Sequence, residues 1–525
     1  MLLVFRHLYL PDVRSSDGID YLLVARNFAA GRGVATSVIQ PGLLPLVGWS
    51  HTGQAFIIQA PLWPEVLGLW FRITGTSSAG SAQFLDGALF LVTAVLAWWL
   101  AYLVSGRVLA GYLALAMILL NPNLIGQALS GTTVSLQAAL FGGIFLLLLF
   151  RPMWWRAAAV GVLLGLAIVA RENTLFLLPG VLVCWYLAYR RQADAKGILG
   201  VGDGSAVARL AGMFVLTAGL LGLGAFLEAF RKAVLLGTWD APFLRNTLLY
   251  YTPVGDSGWI FVLNHPSLHI APVQYLASHP GILLEKIDYS LDVLFMQQTV
   301  TALLSMVGVL LPLWLPWLFP TAPAKAFGWA LALTLAVQAL FGAISTEHFT
   351  YFLTFVPAIS ALMAASAVLL AGRVRALGSA QRRAVGLAAA AGALYLAAPA
   401  AANAAYLARG GTIPSGDFAQ WSQHEISALS QLIDDNTPKD AIVASGTADL
   451  MSWNTGRTIL QYSAQPRYRI GDNDMWRTID HEIHIDYVLF TSLAGETQNS
   501  SILPGFEVVR SVDTAGMQAW LFKRS

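Results

Sequence analysis

The sequence predicts a polytopic α-helical membrane protein with one small α/β domain at its C-terminal end. Three observations carry that prediction. Of 525 residues, 56% are hydrophobic and only 11% charged, less than half of the roughly 25% charged residues usual in a soluble protein. About ten apolar runs reach or approach the ~20 residues that a helix needs to cross a bilayer. The segment after about residue 412 breaks the pattern, with 14 Asp and Glu against 8 Lys and Arg.

The net charge of +2 therefore combines an acidic tail with a basic membrane part. Basic residues sit singly or in pairs between apolar runs, so no nucleic-acid partner is expected. The single cysteine, Cys184, lies in "LLPGVLVCWYLAY". It can form no intramolecular disulfide and suits plain packing.

The apolar runs fall near 83–104, 108–123, 131–150, 157–170, 175–189, 208–236, 298–319, 325–344, 349–371 and 382–407. If they alternate, Arg107, Arg151, Arg156, Arg190, Arg191, Lys196, Arg209, Lys325, Arg373, Arg375, Arg382 and Arg383 all lie in connections on one side. The positive-inside rule makes that side cytoplasmic. The outer side then collects 12–60, the turn "NPNLIGQALSGTT" (121–133), the step "ARENT" (170–174), the long loop 237–297, the turn 345–352 and the tail. The expected place is a bacterial inner membrane, with the tail on the periplasmic side. The predicted organisation is a membrane domain over 1–411, with its first outer loop at 12–60 and a large outer loop at 237–297, and an α/β domain over 412–525. "MLLVFRHLYL" at the start is only about half a span and has no signal-peptide cleavage pattern. Part of a first helix is therefore expected to be missing, for ten or eleven crossings in all.

In the tail, "AIVASG" (441–446), "DYVLFTS" (486–492) and "FEVVRSV" (506–512) predict strands, and "FAQWSQHEISALSQLID" (418–434) has helical periodicity.

Polar clusters on the outer side are the places for chemistry. In "SSDGIDYLLVARNFAAGRG" (15–33), Ser16 or Asp17 suits an N-cap, Asp20 the first turn and Gly31 a left-handed stop. The helix is too short to cross and must lie along the interface, with Leu22, Val24, Ala25 and Phe28 toward lipid or protein. The three-residue spacing puts Asp17 and Asp20 on one side of its start. "IIQAPLWPEVLGLWFRITG" (57–75) is a second half-length apolar piece, and the two together suggest an outer ledge over a cavity. Arg171 and Glu172 stand between two apolar runs, where an arginine fork matches phosphate oxygens and a local ion pair is the plainer alternative. Glu347 and His348 sit in another outer turn. No HExxH or CxxC spacing is present, so no structural metal is expected. No P-loop, dinucleotide-binding glycine pattern or GxSxG elbow occurs, which argues against ATP, NAD or serine chemistry. No cofactor is predicted, and a divalent cation is left open.

Taken together, these motifs resemble the GT-C superfamily of lipid-carrier-dependent membrane glycosyltransferases, and are similar to its protein O-mannosyltransferase and aminoarabinose-transferase branch (glycosyltransferase family 39-like). The family's first outer-loop motif is met by Asp17, Tyr21, Ala25 with Arg26, and Gly31. Pro61 and Leu62 resemble its Lys-Pro-Pro-Leu segment, with Ala60 where the lysine often stands. Gly161 to Arg171 resembles its glycine-rich helix ending in a basic residue. "EHFTYFLTFVP" is like its Arg-Tyr-Phe stretch, with Thr350 in place of the arginine and Glu347 and His348 as its alternatives. Trp453, Gly456 and Arg457 resemble a Trp-x-x-Gly-Arg portion of outer domains in bacterial members.

The resemblance implies transfer of a sugar from a polyprenyl-phosphate carrier to a protein, lipid or surface-glycan acceptor, with inversion. Asp17 and Asp20 are then the candidate catalytic acids, with Asp17 as the base. Tyr21, Arg171, Glu172, Glu347 and His348 are the candidate substrate-binding residues, with Arg171 on the carrier phosphate. The partners would be the lipid-linked sugar, membrane lipids and the acceptor. Two other classes fit parts of the pattern: a lipid-linked-sugar transporter or flippase, and a non-catalytic subunit of a membrane assembly. Charges gathered at span ends and the absence of an internal repeat weigh against a transporter.

Overall fold

The computed structural model describes residues 15–40, 47–49, 53–56, 60–150, 153–171, 204–237, 271–286, 321–345, 354–374, 421–461, 483–493, 505–514 and 517–525, with isolated positions at 174, between 179 and 187, and at 319. The expected span at 382–407, that at 298–319 except position 319, and most of that at 175–189 lie outside these residues.

The chain opens with helix α1 (Ser16–Ala29), followed by short strands β1 (Ala35–Thr36), β2 (Val38–Ile39) and β3 (Gln54–Ala55). Helix α2 (Leu62–Thr74) comes next, and then α3 (Ala79–Ser105), α4 (Val108–Leu119), α5 (Pro122–Leu129), α6 (Val134–Leu149) and α7 (Trp154–Ala170). Further along are α8 (Gly204–Leu236), α9 (Pro272–Ser278), α10 (Ala322–Ser345) and α11 (Val356–Val374). Among the described residues three helical stretches, Ala79–Ser105, Ala208–Leu236 and Val356–Arg373, are long and apolar enough to cross a membrane. Shorter apolar helices accompany them at Val108–Leu119, Val134–Leu149, Trp154–Ala170 and Ala324–Leu335.

Helix packing in the bundle depends on small residues, because lipid gives apolar side chains little reason to prefer a neighbouring helix. On α7, Gly161 and Gly165 face Thr217, Leu220 and Gly224 of α8. A methyl group on Gly224 would lie 2.6 Å from the Cα of Gly165. The two backbones are in direct contact. At the same seam the Thr217 hydroxyl donates to the Ala157 carbonyl at 3.0 Å. This packing sets the direction of α7, and so the place where Arg171 follows it as C-cap.

The tail contributes α12 (Gln423–Asn436), β4 (Val443–Ser445), α13 (Ala448–Thr455), β5 (Ile459–Gln461), β6 (Tyr487–Leu493), β7 (Phe506–Asp513) and β8 (Met517–Arg524). Helix α12 begins with a full capping box between Ser422 and Glu425. The six-stranded sheet runs β2-β5-β4-β6-β8-β7. Neighbouring strands are parallel from β2 through β6 and antiparallel thereafter. Sequence pattern had located β4, β6 and β7. It did not mark the three-residue β5, helix α13 or β8. One edge of the sheet is not drawn from the tail: β2 belongs to the first loop, with Val38 registered on Ile459.

Helix α1 is consequently enclosed. Ile19, Leu22, Leu23, Val24 and Ala25 are each 0% exposed. They share one core with Trp63, Leu67 and Phe71 of α2 and with Leu429, Ile433, Met451 and Ile459 of the tail. The apolar residues expected to meet lipid or protein meet protein.

Because the α7–α8 seam leaves no room for a side chain, Gly224→Ala is expected to lower the thermal midpoint of the purified protein in detergent, overpacking costing about 1–3 kcal/mol. Gly219→Ala, on the same helix with open space around it, is the control and should leave the midpoint unchanged or raise it. Equal behaviour of the two variants would refute the close seam.

Candidate functional site

The start of α1 is fixed by Ser15, one residue earlier than expected. Its extended backbone and its hydroxyl, which accepts from the Gly18 N–H at 3.5 Å, make it the N-cap. Asp17 thereby takes the first turn, where its charge complements the helix dipole. The other end closes at Ala30 and Gly31, with Gly31 at φ +79°. There Arg72 of α2 donates to Phe28 O at 2.7 Å and to Ala29 O at 3.0 Å, while its guanidinium lies 5.1 Å from the centre of the Phe28 ring. Between the two helices Gly68 allows the approach, since a methyl group there would lie 2.8 Å from Ala25 O.

From this fixed helix the two predicted acids turn to different surroundings. Asp17 is exposed. Asp20 is 7% exposed and its carboxyl meets that of Asp449 on α13. Burial is the main cause that holds the Asp20 carboxyl well above the usual carboxylate range, with the charges of Asp449 and Asp17 adding to it. The neighbouring Thr36 hydroxyl works the other way.

Tyr21 lies in the field of both Asp17 and Arg171. Its hydroxyl faces the Thr133 side chain and lies within the electrostatic reach of both charges. Burial first, and then Asp17, push the phenol up, whereas Arg171 pulls it down. Its ring meets Phe56 edge-on at 6.1 Å between centroids. Arg171 is half-buried and sits where α7 ends in extended backbone. Thr174 holds that end, donating its hydroxyl to Ala167 O and Arg171 O, both at 2.9 Å. Gln137 of α6 donates in turn to the Thr174 hydroxyl at 3.3 Å.

The turn before α6 is tied to the same place. Trp63 of α2 donates to Gly131 O at 2.7 Å, and Gln83 of α3 donates to Leu129 O at 3.0 Å. The first loop, the turn 129–133, the end of α7 and the tail therefore meet at one end of the bundle. Of the predicted residues, Asp17 and Arg171 both lie within electrostatic reach of Tyr21, and Asp20 faces the tail. Glu172, Glu347 and His348 lie outside the described residues.

Three features escaped the sequence reading. Asp86, fully buried on α3, faces the Ser135 hydroxyl and the Gly131 N–H. An ionisable residue inside an apolar run was the available signal. Arg231 near the end of α8 donates to Phe56 O at 2.8 Å and grips Glu228 with two bonds of 2.9 and 2.7 Å. Third, Arg26 and Trp453, noted as parts of two separate motifs, are one contact. The guanidinium lies 4.8 Å from the Trp453 ring and donates to Ser452 O and Trp453 O at 3.3 and 3.2 Å. Arg457 ties α13 back to α12 through Asp434 at 3.1 Å and through the Pro438 carbonyl. Among the described residues no group of three or more His, Cys, Asp or Glu side chains is placed to hold a metal ion.

No family model matches the chain, and no curated protein matches it. Solved structures do. The oligosaccharyltransferase AglB from Archaeoglobus fulgidus, in complex with an inhibitory peptide and a dolichol-phosphate, superposes with a TM-score of 0.52 at 14% identity, over 93% of this chain and 68% of AglB. A second structure of that enzyme, tethered to an acceptor peptide containing the NVT sequon, gives a TM-score of 0.52 at 12% identity. ArnT from Cupriavidus metallidurans bound to undecaprenyl phosphate aligns over 99% of this chain and 96% of its own, at 11% identity and a TM-score of 0.39. The likeness to AglB is one of fold.

The Arg72 cap generates a local prediction. Arg72→Ala should speed amide hydrogen exchange several-fold at Ala30, Gly31 and Arg32, whose N–H groups close the last turn of α1, and leave Ile19 unchanged. Unaltered exchange at all four would remove Arg72 as the cap.

Proposed function

We propose that the chain transfers a sugar from a polyprenyl-phosphate carrier to an acceptor at the outer face of a bacterial inner membrane, as a member of the O-mannosyltransferase and aminoarabinose-transferase-like branch. One observation carries the proposal: on a fold shared with an oligosaccharyltransferase solved in complex with a dolichol-phosphate, an exposed carboxylate and a guanidinium lie within electrostatic reach of one buried tyrosine.

That pair is what the chemistry requires. The leaving group is already a phosphate, so the reaction needs a base for the acceptor hydroxyl and a cation for the departing charge. Asp17 takes the proton as the acceptor oxygen bonds to the anomeric carbon. The bond from that carbon to the phosphate oxygen breaks, and its electron pair leaves with the phosphate. Arg171 meets the phosphate with a permanent charge and a planar fork. Direct displacement inverts the anomeric centre, with no covalent intermediate. Tyr21, with its phenol kept protonated, supplies a neutral hydroxyl between base and cation. The apolar surface of the bundle accommodates the prenyl chain, and Glu172, Glu347 and His348 complete the proposed sugar and acceptor contacts.

Asp17→Asn, with insertion and folding confirmed, should lower the transfer rate by about 10²–10⁴, as loss of a general base does. Unchanged transfer would return Asp17 to a role in the dipole of α1 alone. Arg171→Gln should raise KM for the lipid-linked donor by about ten- to hundredfold, the equivalent of the ~1.5–3 kcal/mol of a hydrogen bond to a charged group, and Arg171→Lys should recover only part of it. Counterflow of lipid-linked sugar across vesicles, with no product formed, would overturn transfer in favour of transport.

A further inference from the structure

The first loop and the tail are joined by directed polar contacts that sugar transfer does not itself call for, and these gather at the end of α1 remote from Asp17. Helix α13 has eight residues and closes at Gly456, which takes φ +70° and donates its N–H to Ser452 O at 3.0 Å. The last turn of any helix leaves carbonyls without intrahelical partners, and the helix dipole makes that end favourable to a cation. Arg26 of α1 meets both conditions. Its guanidinium donates to Ser452 O at 3.3 Å and to Trp453 O at 3.2 Å, and lies over the Trp453 ring, 4.8 Å from its centre. A planar fork can serve two successive carbonyls and an aromatic face at once, which the point charge of a lysine cannot.

The next residue extends the grip. Asn27, 1% exposed, donates its side-chain amide to Ala35 O at 2.8 Å and to Ser37 Oγ at 3.2 Å. Ser37 O in turn accepts the Ile459 N–H at 3.2 Å, where β2 pairs with β5. Two adjacent side chains of α1 therefore hold the tail twice, Arg26 through helix α13 and Asn27 through the strand that the first loop adds to the tail sheet. Asp17 stands nine residues before Arg26, about 13–14 Å away along the helix axis at ~1.5 Å per residue. Ile19 and Leu22, on the way, share an apolar core with Leu450 and Met451. The hydrophobic effect that buries this face is non-directional. The directed bonds at 26 and 27 set the roll of the helix.

We propose that Arg26 is a positioning residue for transfer: as the cap of α13 it makes the tail domain a clamp on α1, and so sets the direction in which Asp17 and Tyr21 are presented. The consequence for transfer rests on the reading of Asp17 as the base. The clamp itself does not. A base displaced by about 1 Å can cost about 10²-fold in rate, so a helix left to roll retains its substrate contacts better than its chemistry.

The full-length protein in detergent tests both parts. Arg26→Ala should speed amide hydrogen exchange several-fold at Gly456 and Ile459, whose N–H groups close α13 and join β5 to Ser37, and leave Val488 on β6 unchanged. In a transfer assay corrected for folded protein, Arg26→Ala should lower kcat about ten- to hundredfold with KM for the lipid-linked donor unchanged. Arg26→Lys, which keeps the charge and loses the fork, should recover only part of kcat. Trp453→Leu should lower kcat by a smaller factor and should add nothing to Arg26→Ala, because the ring contact is already lost in that variant. Arg32→Ala, which removes an exposed charge just beyond α1, is the control and should leave kcat unchanged.

Exchange at Gly456 and Ile459 equal to that of the wild type would overturn the clamp. A kcat for Arg26→Ala equal to that of the wild type, or effects of Arg26→Ala and Trp453→Leu that simply multiply, would overturn positioning. So would failure of both Arg26→Lys and Trp453→Leu to fold, which would make the contact a requirement of folding alone. If instead Asp17→Asn is fully active while exchange changes as stated, the assignment of the base fails and the clamp stands.

Discussion

The whole arrangement depends on burying a helix too short to cross a membrane. Helix α1 has fourteen residues, with an apolar stretch from Ile19 to Ala25 interrupted only by Asp20 and the polar tip of Tyr21. At ~1.5 Å per residue it reaches only about two thirds of the way through a ~30 Å hydrocarbon layer. Its apolar surface must be covered by something other than a transmembrane path. The chain covers it with α2 on one side and the tail on another, and the polar remainder of the helix is left for the end of the bundle where charged groups can meet.

That coverage explains why two acids three residues apart have different surroundings. A helix clamped on two sides has one open edge, and Asp17 occupies it. Asp20, less than a turn further on, falls against α13. Similarity of residue type and closeness in sequence therefore say little about shared chemistry here. What separates them is the protein surface that each residue meets, and that surface comes from opposite ends of the chain.

Much of the architecture was legible because it follows from solvent preference. Apolar runs gave the described bundle helices α3, α4, α6, α7, α8, α10 and α11, and alternation in the tail gave β4, β6 and β7. The site was legible in part. The Asp17 motif and the Gly161 to Arg171 motif each supply a charge within electrostatic reach of Tyr21. Long-range pairing was not readable. Nothing local in "SVIQ" distinguishes two residues that complete a distant sheet, and the three residues of β5 are too few for a period. Asp449 could not be linked to Asp20, nor Trp453 to Arg26, because single-chain periodicity reports a face and not its partner. Asp86 was hidden by the strongly apolar run around it. The cap moved by one residue to Ser15 because Ser15, Ser16 and Asp17 are all good capping types and only backbone geometry chooses among them.

The pairing of Val38 with Ile459 joins positions some 420 residues apart. Contacts so distant in sequence form late, since the intervening chain must be made and arranged before they can close. Until the tail has been synthesised and folded, α1 lacks one of its walls, and the edge that carries Asp17 has no fixed orientation. Packing of the bundle and enclosure of α1 are thus separate events in the life of the chain. The α7–α8 seam closes between neighbouring segments, whereas the walls of α1 come from both ends of the sequence.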